Sequence, residues 1–140
     1  MKLIADSGST KTDWKLITPS GEVFDYRSEG INPYFHTDES VAETLRKISF
    51  APYAHADIDE VYFYSAGSNT KKSIAIMNNG FNRVFTSADI HIKHDLLGAA
   101  RALCQNSSGM VAILGTGSNS CLYVDGEIKM NLGGFGYILG

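Results

Sequence analysis

Cysteine, proline and positive charge are all scarce in this chain of 140 residues, and each scarcity narrows what it can be. Two cysteines make a poor disulfide framework, and Cys104 and Cys121 lack metal-ligand spacing. Both read as reduced core thiols, which suits the cytoplasm. A net charge of -3 and a pI near 5.7 leave no basic footprint, so nucleic acid is not an expected partner. No apolar run approaches the ~20 residues that a membrane helix requires. Met1-Lys2-Leu3-Ile4 enters an apolar strand and meets Asp6, unlike a secretory leader. Low-complexity stretches and long linkers are absent too. What remains is a chain with 44% hydrophobic and 19% charged residues, long enough for one domain with a sizeable core.

The feature that says most is an internal repeat. Ile4-Ala5-Asp6-Ser7-Gly8-Ser9-Thr10 is followed by Trp14-Lys15-Leu16-Ile17 and Gly21-Glu22-Val23. Ile113-Leu114-Gly115-Thr116-Gly117-Ser118-Asn119 is followed by Cys121-Leu122-Tyr123-Val124 and Gly126-Glu127-Ile128. Each copy is an apolar strand, a small-residue turn, a return strand, and a second turn into a third strand. Such turns expose backbone N–H groups and hydroxyls where no side chain blocks approach, as a phosphate chain requires. Two copies suggest two lobes that grip one polyphosphate from both sides.

The elements follow from patterning. Strands are expected at Lys2 to Asp6, Asp13 to Thr18 and Glu22 to Ser28. Thr37 can cap a helix to about Ser49, and a second helix should run from Thr70 to Asn79, where Gly80 stops it. Between them lies the strand Val61 to Ser65; Ile90-His91-Ile92 is another. Asp95 opens a third helix to Cys104, Met110 starts the second repeat, and Asp125-Gly126 is a two-residue hairpin signal. Three leading antiparallel strands and then helix–strand alternation imply an α/β fold: a mixed five-stranded sheet with helices on its two faces. The lobes are expected to divide near Ser108, as residues 1–108 and 109–140. The glycine-rich run from Gly133 to Gly140 is a loop that leads onward, so the second lobe is read as incomplete.

Several residues can carry chemistry. Asp6 stands at the end of a strand beside the Gly8-Ser9-Thr10 turn, where a carboxylate can hold magnesium together with substrate phosphates. Ser9, Thr10 and Lys11 can bind phosphate; the same turn also reads as an ordinary hairpin. Thr116, between Gly115 and Gly117, and Ser118 form the second turn, with the same two readings. Asp95 can be a helix cap favoured by the dipole, or the acceptor of a hydroxyl proton in phosphoryl transfer. Asn32, before Pro33, can bond a sugar or serve as a turn asparagine. Ser65 ends a strand where α/β sheets place ligand loops, and equally suits a helix-entry turn. No serine or cysteine nucleophile is placed by a motif.

Four segments, taken together, resemble the N-acetylglucosamine kinase group. They are Asp6-Ser-Gly-Ser-Thr-Lys-Thr-Asp-Trp, His94-Asp95-Leu-Leu-Gly-Ala-Ala-Arg-Ala, Leu114-Gly-Thr-Gly-Ser-Asn-Ser and Gly133-Gly-Phe-Gly-Tyr-Ile-Leu-Gly. That group belongs to the BadF/BadG/BcrA/BcrD-type ATPases, in the sugar kinase, actin and heat-shock-protein superfamily. The resemblance implies two ribonuclease-H-like lobes with ATP, Mg2+ and an amino sugar in the cleft. It assigns the segments Asp6 to Thr10 and Gly115 to Ser118 to the phosphates and Asp95 to the catalytic base. Asn32, Thr116 and the loop Gly133, Gly134, Phe135 and Gly136 correspond to sugar-contacting positions. A small-molecule sugar is the expected partner, with a homodimer left open and no membrane or nucleic acid involved.

Two other functions fit the same chain. ATPase activators of dehydratases and reductases share the resemblance but bridge subunits with an iron–sulfur cluster, an arrangement that Cys104 and Cys121 do not match. A non-catalytic lobe that binds sugar or nucleotide would bind without turnover.

Overall fold

The computed structural model describes residues 1–114 and 118–133. The chain forms two compact units, Met1–His94 and Asp95–Gly140. In the first, β1 (Lys2–Ser7), β2 (Lys11–Ile17) and β3 (Val23–Glu29) precede α1 (Asp38–Lys47), β4 (Glu60–Ser65), α2 (Lys71–Asn82) and β5 (Asp89–His94). The five-stranded sheet has the order β3-β2-β1-β4-β5. The leading strands pair antiparallel, whereas β1, β4 and β5 run parallel. This is the mixed sheet that the element order implies.

Alternation decides which face is buried. Leu3, Ala5, Trp14, Leu16, Val61, Phe63 and Ile92 pack with Val41 and Leu45 of α1 and Met77 and Phe81 of α2. Trp14 sits at the centre, with ring centroids 5.7 Å from Phe50 and 5.6 Å from Phe63. Its indole N–H donates to Ser28 Oγ at 2.9 Å, so the largest side chain is buried without an orphaned donor. The intervening residues line the other face, where Arg27 pairs with Asp13 at 2.6 Å and Lys15 with Asp25 at 2.5 Å. These pairs are exposed and each adds no more than about 1 kcal/mol.

The expectation of helices on two faces is corrected within this unit: α1 and α2 share one core cluster and one face. The crossovers from β3 to β4 and from β4 to β5 step the same way across the sheet. A common handedness therefore delivers both helices to the same side.

Both helices begin as their sequences suggest. Thr37 and Ser40 form a reciprocal capping box on α1, and Thr70 and Ser73 do the same on α2. Gly80 does not stop α2, which runs on to Asn82. A Cβ at Gly80 would lie 2.6 Å from the Cβ of Val41 and 2.8 Å from the Asp38 carbonyl oxygen. The glycine is there to let α1 approach, not to end α2.

In the second unit, α3 (Asp95–Cys104) precedes β6 (Gly109–Leu114), β7 (Ser118–Val124) and β8 (Glu127–Gly133). The strands form an antiparallel sheet in sequence order. Leu96 and Ala100 of α3 pack on Val111, Cys121 and Tyr123. The helix thus belongs with the second sheet, and the division in packing falls at His94/Asp95 rather than near Ser108. The Asp125-Gly126 hairpin forms as its sequence suggests, with φ of 52° and 82°. On the side of the sheet away from α3, Met110, Leu114 and Met130 are exposed. Cys121 is buried and Cys104 partly so, and both are free thiols. Among the described residues, no helix is long and apolar enough to cross a membrane.

Gly80→Ala should lower stability by about 1–3 kcal/mol through overpacking, despite the better helix propensity of alanine. Urea unfolding would show this; a midpoint equal to or above that of the parent chain would refute the close-approach role.

Candidate functional site

Strands β1, β4 and β5 end together, with Ser7, Ser65 and His94 in register. The carboxyl edge of parallel strands is where α/β sheets carry ligand loops. Three loops of the first unit meet there, and glycine decides how closely. Among these, the β1–β2 turn closes with Gly8 N–H donating to the Lys11 carbonyl at 3.0 Å. Gly8, Ser9 and Thr10 are exposed. Neither the Ser9 nor the Thr10 hydroxyl is engaged by another described residue, so both can serve a ligand.

Ser7 faces the other way and is buried. Its Oγ accepts the Ile31 N–H at 2.9 Å and lies 2.7 Å from Thr12 Oγ1. The hydroxyl therefore ties β1 to the loop that follows β3. Gly30, in that loop, lies directly on the phosphate-type turn. A Cβ there would stand 2.5 Å from the Gly8 carbonyl oxygen and 2.7 Å from the Ser9 carbonyl carbon. Backbone cannot yield at such distances, so the position excludes any side chain.

Asn32 is two residues further on and only 7% exposed. Its Oδ1 accepts the Tyr34 N–H at 3.0 Å. Its carbonyl accepts from Phe35 N–H at 3.0 Å and lies 2.9 Å from His36 Nδ1. No described residue engages Nδ2, and because no buried side-chain nitrogen or oxygen among the described residues lacks a partner, this donor end of the largely buried amide reaches solvent. The residue is both the turn asparagine and the candidate ligand contact of the two sequence readings.

Other assigned residues fare differently. The Ser65 hydroxyl is fully buried and lies 2.5 Å from Ser68 Oγ, so it shapes the β4–α2 turn rather than presenting itself to a ligand. Lys11 Nζ is 2.9 Å from Asp13 Oδ2, in the exposed cluster with Arg27. Hydrogen bonds from Lys11 and Arg27 hold the Asp13 carboxyl below its ordinary range. Lys11 thus has a partner other than phosphate. Asp6 is exposed on the helix-free face, beside Asp13 and Tyr64 in register. No three His, Cys, Asp or Glu side chains converge on a metal among the described residues. Magnesium that arrives on nucleotide phosphates needs only one or two carboxylates, and Asp6 is one carboxylate near this strand end.

In the second unit, Asp95 is the first residue of α3, and its Oδ1 accepts the Leu96 N–H at 2.7 Å. Ser118 opens β7 opposite Leu114. Gly133 has φ of 82°, a left-handed conformation suited to glycine, and its N–H donates to Asn131 Oδ1 at 2.8 Å. Gly115, Thr116, Gly117, Gly134, Phe135 and Gly136, expected at the phosphates and the sugar, lie outside the described residues.

A presumptive N-acetylglucosamine kinase from Porphyromonas gingivalis matches this structure with a TM-score of 0.88 and 42% identity, over 100% of this chain and 50% of its own. Over its whole length the chain is similar to about half of that protein. A presumptive N-acetylglucosamine kinase from Chromobacterium violaceum matches at a TM-score of 0.62 and 19% identity, over 90% of this chain and 46% of its own. A Bacteroides thetaiotaomicron protein of actin-like ATPase fold and unknown function matches at 0.57 and 9%, over 96% of this chain and 69% of its own. At these identities the last two show the fold alone. The chain spans about half the length of the first two relatives. No family model and none of the curated proteins matches it.

The kinase-like resemblance rests on motifs; the seam beneath them was not legible as function. The sequence assigns Gly30 and Gly67 no role of their own, and the signal it carries for them and for Ser7 is small size where chain segments pack closely. Ser7→Ala should remove the partner of the buried Ile31 N–H and cost about 1–3 kcal/mol. Denaturant unfolding with no loss of stability would separate the two loops.

Proposed function

We propose that this chain is the N-terminal part of a two-lobed kinase that phosphorylates an amino sugar with ATP, N-acetylglucosamine being the expected acceptor. The observation that carries this reading is the juxtaposition of two loops. An exposed Gly8-Ser9-Thr10 turn with unengaged hydroxyls lies against Gly30, two residues from the unspent donor of buried Asn32. Phosphate chemistry and a neutral hydrogen-bond donor are thus offered side by side, in a chain 42% identical to a presumptive N-acetylglucosamine kinase. The activity itself is our reading, since that relative is twice as long.

In this reading, the ATP phosphates lie on Gly8 to Thr10 and on Gly115 to Ser118. Asp6 would hold the magnesium ion that travels with them, whose chemistry there would be to offset phosphate charge. Asn32, with Thr116 and Gly133 to Gly136, orients the sugar. The Asp95 carboxylate accepts the proton of the sugar hydroxyl as its oxygen bonds to the γ-phosphorus. The bond from that phosphorus to the bridging oxygen breaks, and ADP leaves. Phosphoryl transfer asks for little more than this positioning and charge stabilisation. The setting is the cytoplasm.

The activator reading is disfavoured by the thiols. Cys121 is fully buried, and desolvation, with Cys104 nearby, raises its pKa. A cluster ligand needs an accessible thiolate instead. A binding lobe without turnover is separated by assaying sugar phosphate formation directly.

In the complete protein, Asp95→Asn should lower kcat by roughly a hundredfold or more with little change in nucleotide affinity. Near-normal phosphorylation would return Asp95 to the role of a helix cap. Asp6→Ala should weaken magnesium-dependent ATP binding in calorimetry; unchanged affinity would contradict its assignment.

A further inference from the structure

We propose that the β4–α2 turn, through Gly67 and Asn69, braces Tyr34 and so positions the Asn32 amide as a donor-only reader of the acceptor sugar. The inference rests on the reading that Asn32 meets that sugar, and it adds three positioning residues to it.

The polarity of Asn32 comes first. An amide side chain can point either way, but the Tyr34 N–H at 3.0 Å can be accepted only by Oδ1. Nδ2 is therefore the end left for a ligand. A residue 7% exposed cannot easily turn over to offer its oxygen, because Oδ1 would forfeit its bond in a buried setting. The site then selects a group with an oxygen acceptor, such as a hydroxyl or an N-acyl carbonyl. A protonated amine offers no acceptor and is disfavoured.

Tyr34 is what holds that geometry, and it is tethered at two points. Its N–H is bound by Asn32, and its phenol hydroxyl donates to Asn69 Oδ1 at 3.1 Å across the gap to the β4–α2 turn. Between the tethers lies Gly67, at φ of 82°. A Cβ there would stand 2.8 Å from Asn32 Oδ1 and 2.8 Å from Tyr34 Cδ2. The missing side chain thus leaves room for the very atoms that form the Asn32–Tyr34 contact. Tyr34 is 62% exposed, so its ring is not held by burial. The Asn69 bond is what restrains it.

The test uses the complete protein and two sugars, N-acetylglucosamine and glucosamine, with steady-state kinetics and calorimetry of N-acetylglucosamine. Tyr34→Phe keeps the ring and removes the tether. It should raise KM for N-acetylglucosamine roughly 2- to 10-fold, the size of one lost hydrogen bond, while kcat and the KM for ATP hold. Gly67→Ala should raise that KM further and narrow the preference for N-acetylglucosamine over glucosamine. A misfolded Gly67→Ala leaves the decision to Tyr34→Phe and Asn69→Ala, which remove opposite ends of one bond and should not be additive. Asn32→Ala serves as the reference. If it weakens sugar binding while Tyr34→Phe and Asn69→Ala leave KM and sugar preference unchanged, the brace is refuted and the sugar reading of Asn32 stands. If Asn32→Ala itself leaves sugar affinity unchanged, both fall.

Discussion

A single backbone approach underlies the candidate site of the first unit: Gly30 resting on the carbonyls of Gly8 and Ser9. Two loops cannot share that space unless one contributes no side chain. Ser7 then locks the arrangement, because its buried hydroxyl accepts the Ile31 N–H and would be costly to leave unpaired. The turn with phosphate character and the loop bearing Asn32 are in effect one piece. Movement of either must be felt by the other, since neither seam contains a flexible side chain to absorb it.

The rest of the first unit exists to hold that edge. Trp14, Phe50, Phe63 and Phe81 fill the space between sheet and helices, and Gly80 lets α2 close on α1. Packing of this density makes the strand ends rigid, and rigid strand ends make the loops reproducible. The opposite face of the sheet carries exposed ion pairs, which contribute little stability and keep that surface polar. The second unit repeats the plan on a smaller scale, with α3 covering one side of an antiparallel sheet. Its other side presents Met110, Leu114 and Met130.

Much of this was legible because the signals are local. Thr37 and Thr70 cap helices through side chains three residues away, and Asp125-Gly126 turns a hairpin through its own φ angles. Strand alternation marks Leu3, Ala5, Trp14 and Leu16 as one face. The repeat of Gly/Ser/Thr turns, and its resemblance to N-acetylglucosamine kinases, pointed to the relatives found by structure. Three readings needed correction, and each involved a distant partner. Gly80 looked like a helix stop until Val41 was seen beside it. Helices were expected on two faces of the sheet, but α1 and α2 share one core with it. The third helix was placed with the first sheet until its apolar stripe was found on Val111 and Cys121.

The division is physical. By itself, the sequence determined which segments are strands and helices, where they are capped, and that two small-residue turns recur on duplicated strands. Those properties depend on neighbours within a few residues. Only the tertiary structure decided that both helices cover one face, that α3 belongs with the second sheet, and that Asn32 keeps a donor in reserve. The first two depend on which atoms meet across long stretches of chain, as Ser7 meets Ile31 over a separation of 24. A glycine signals that something comes close, and its sequence does not say what; that is settled where backbones pack.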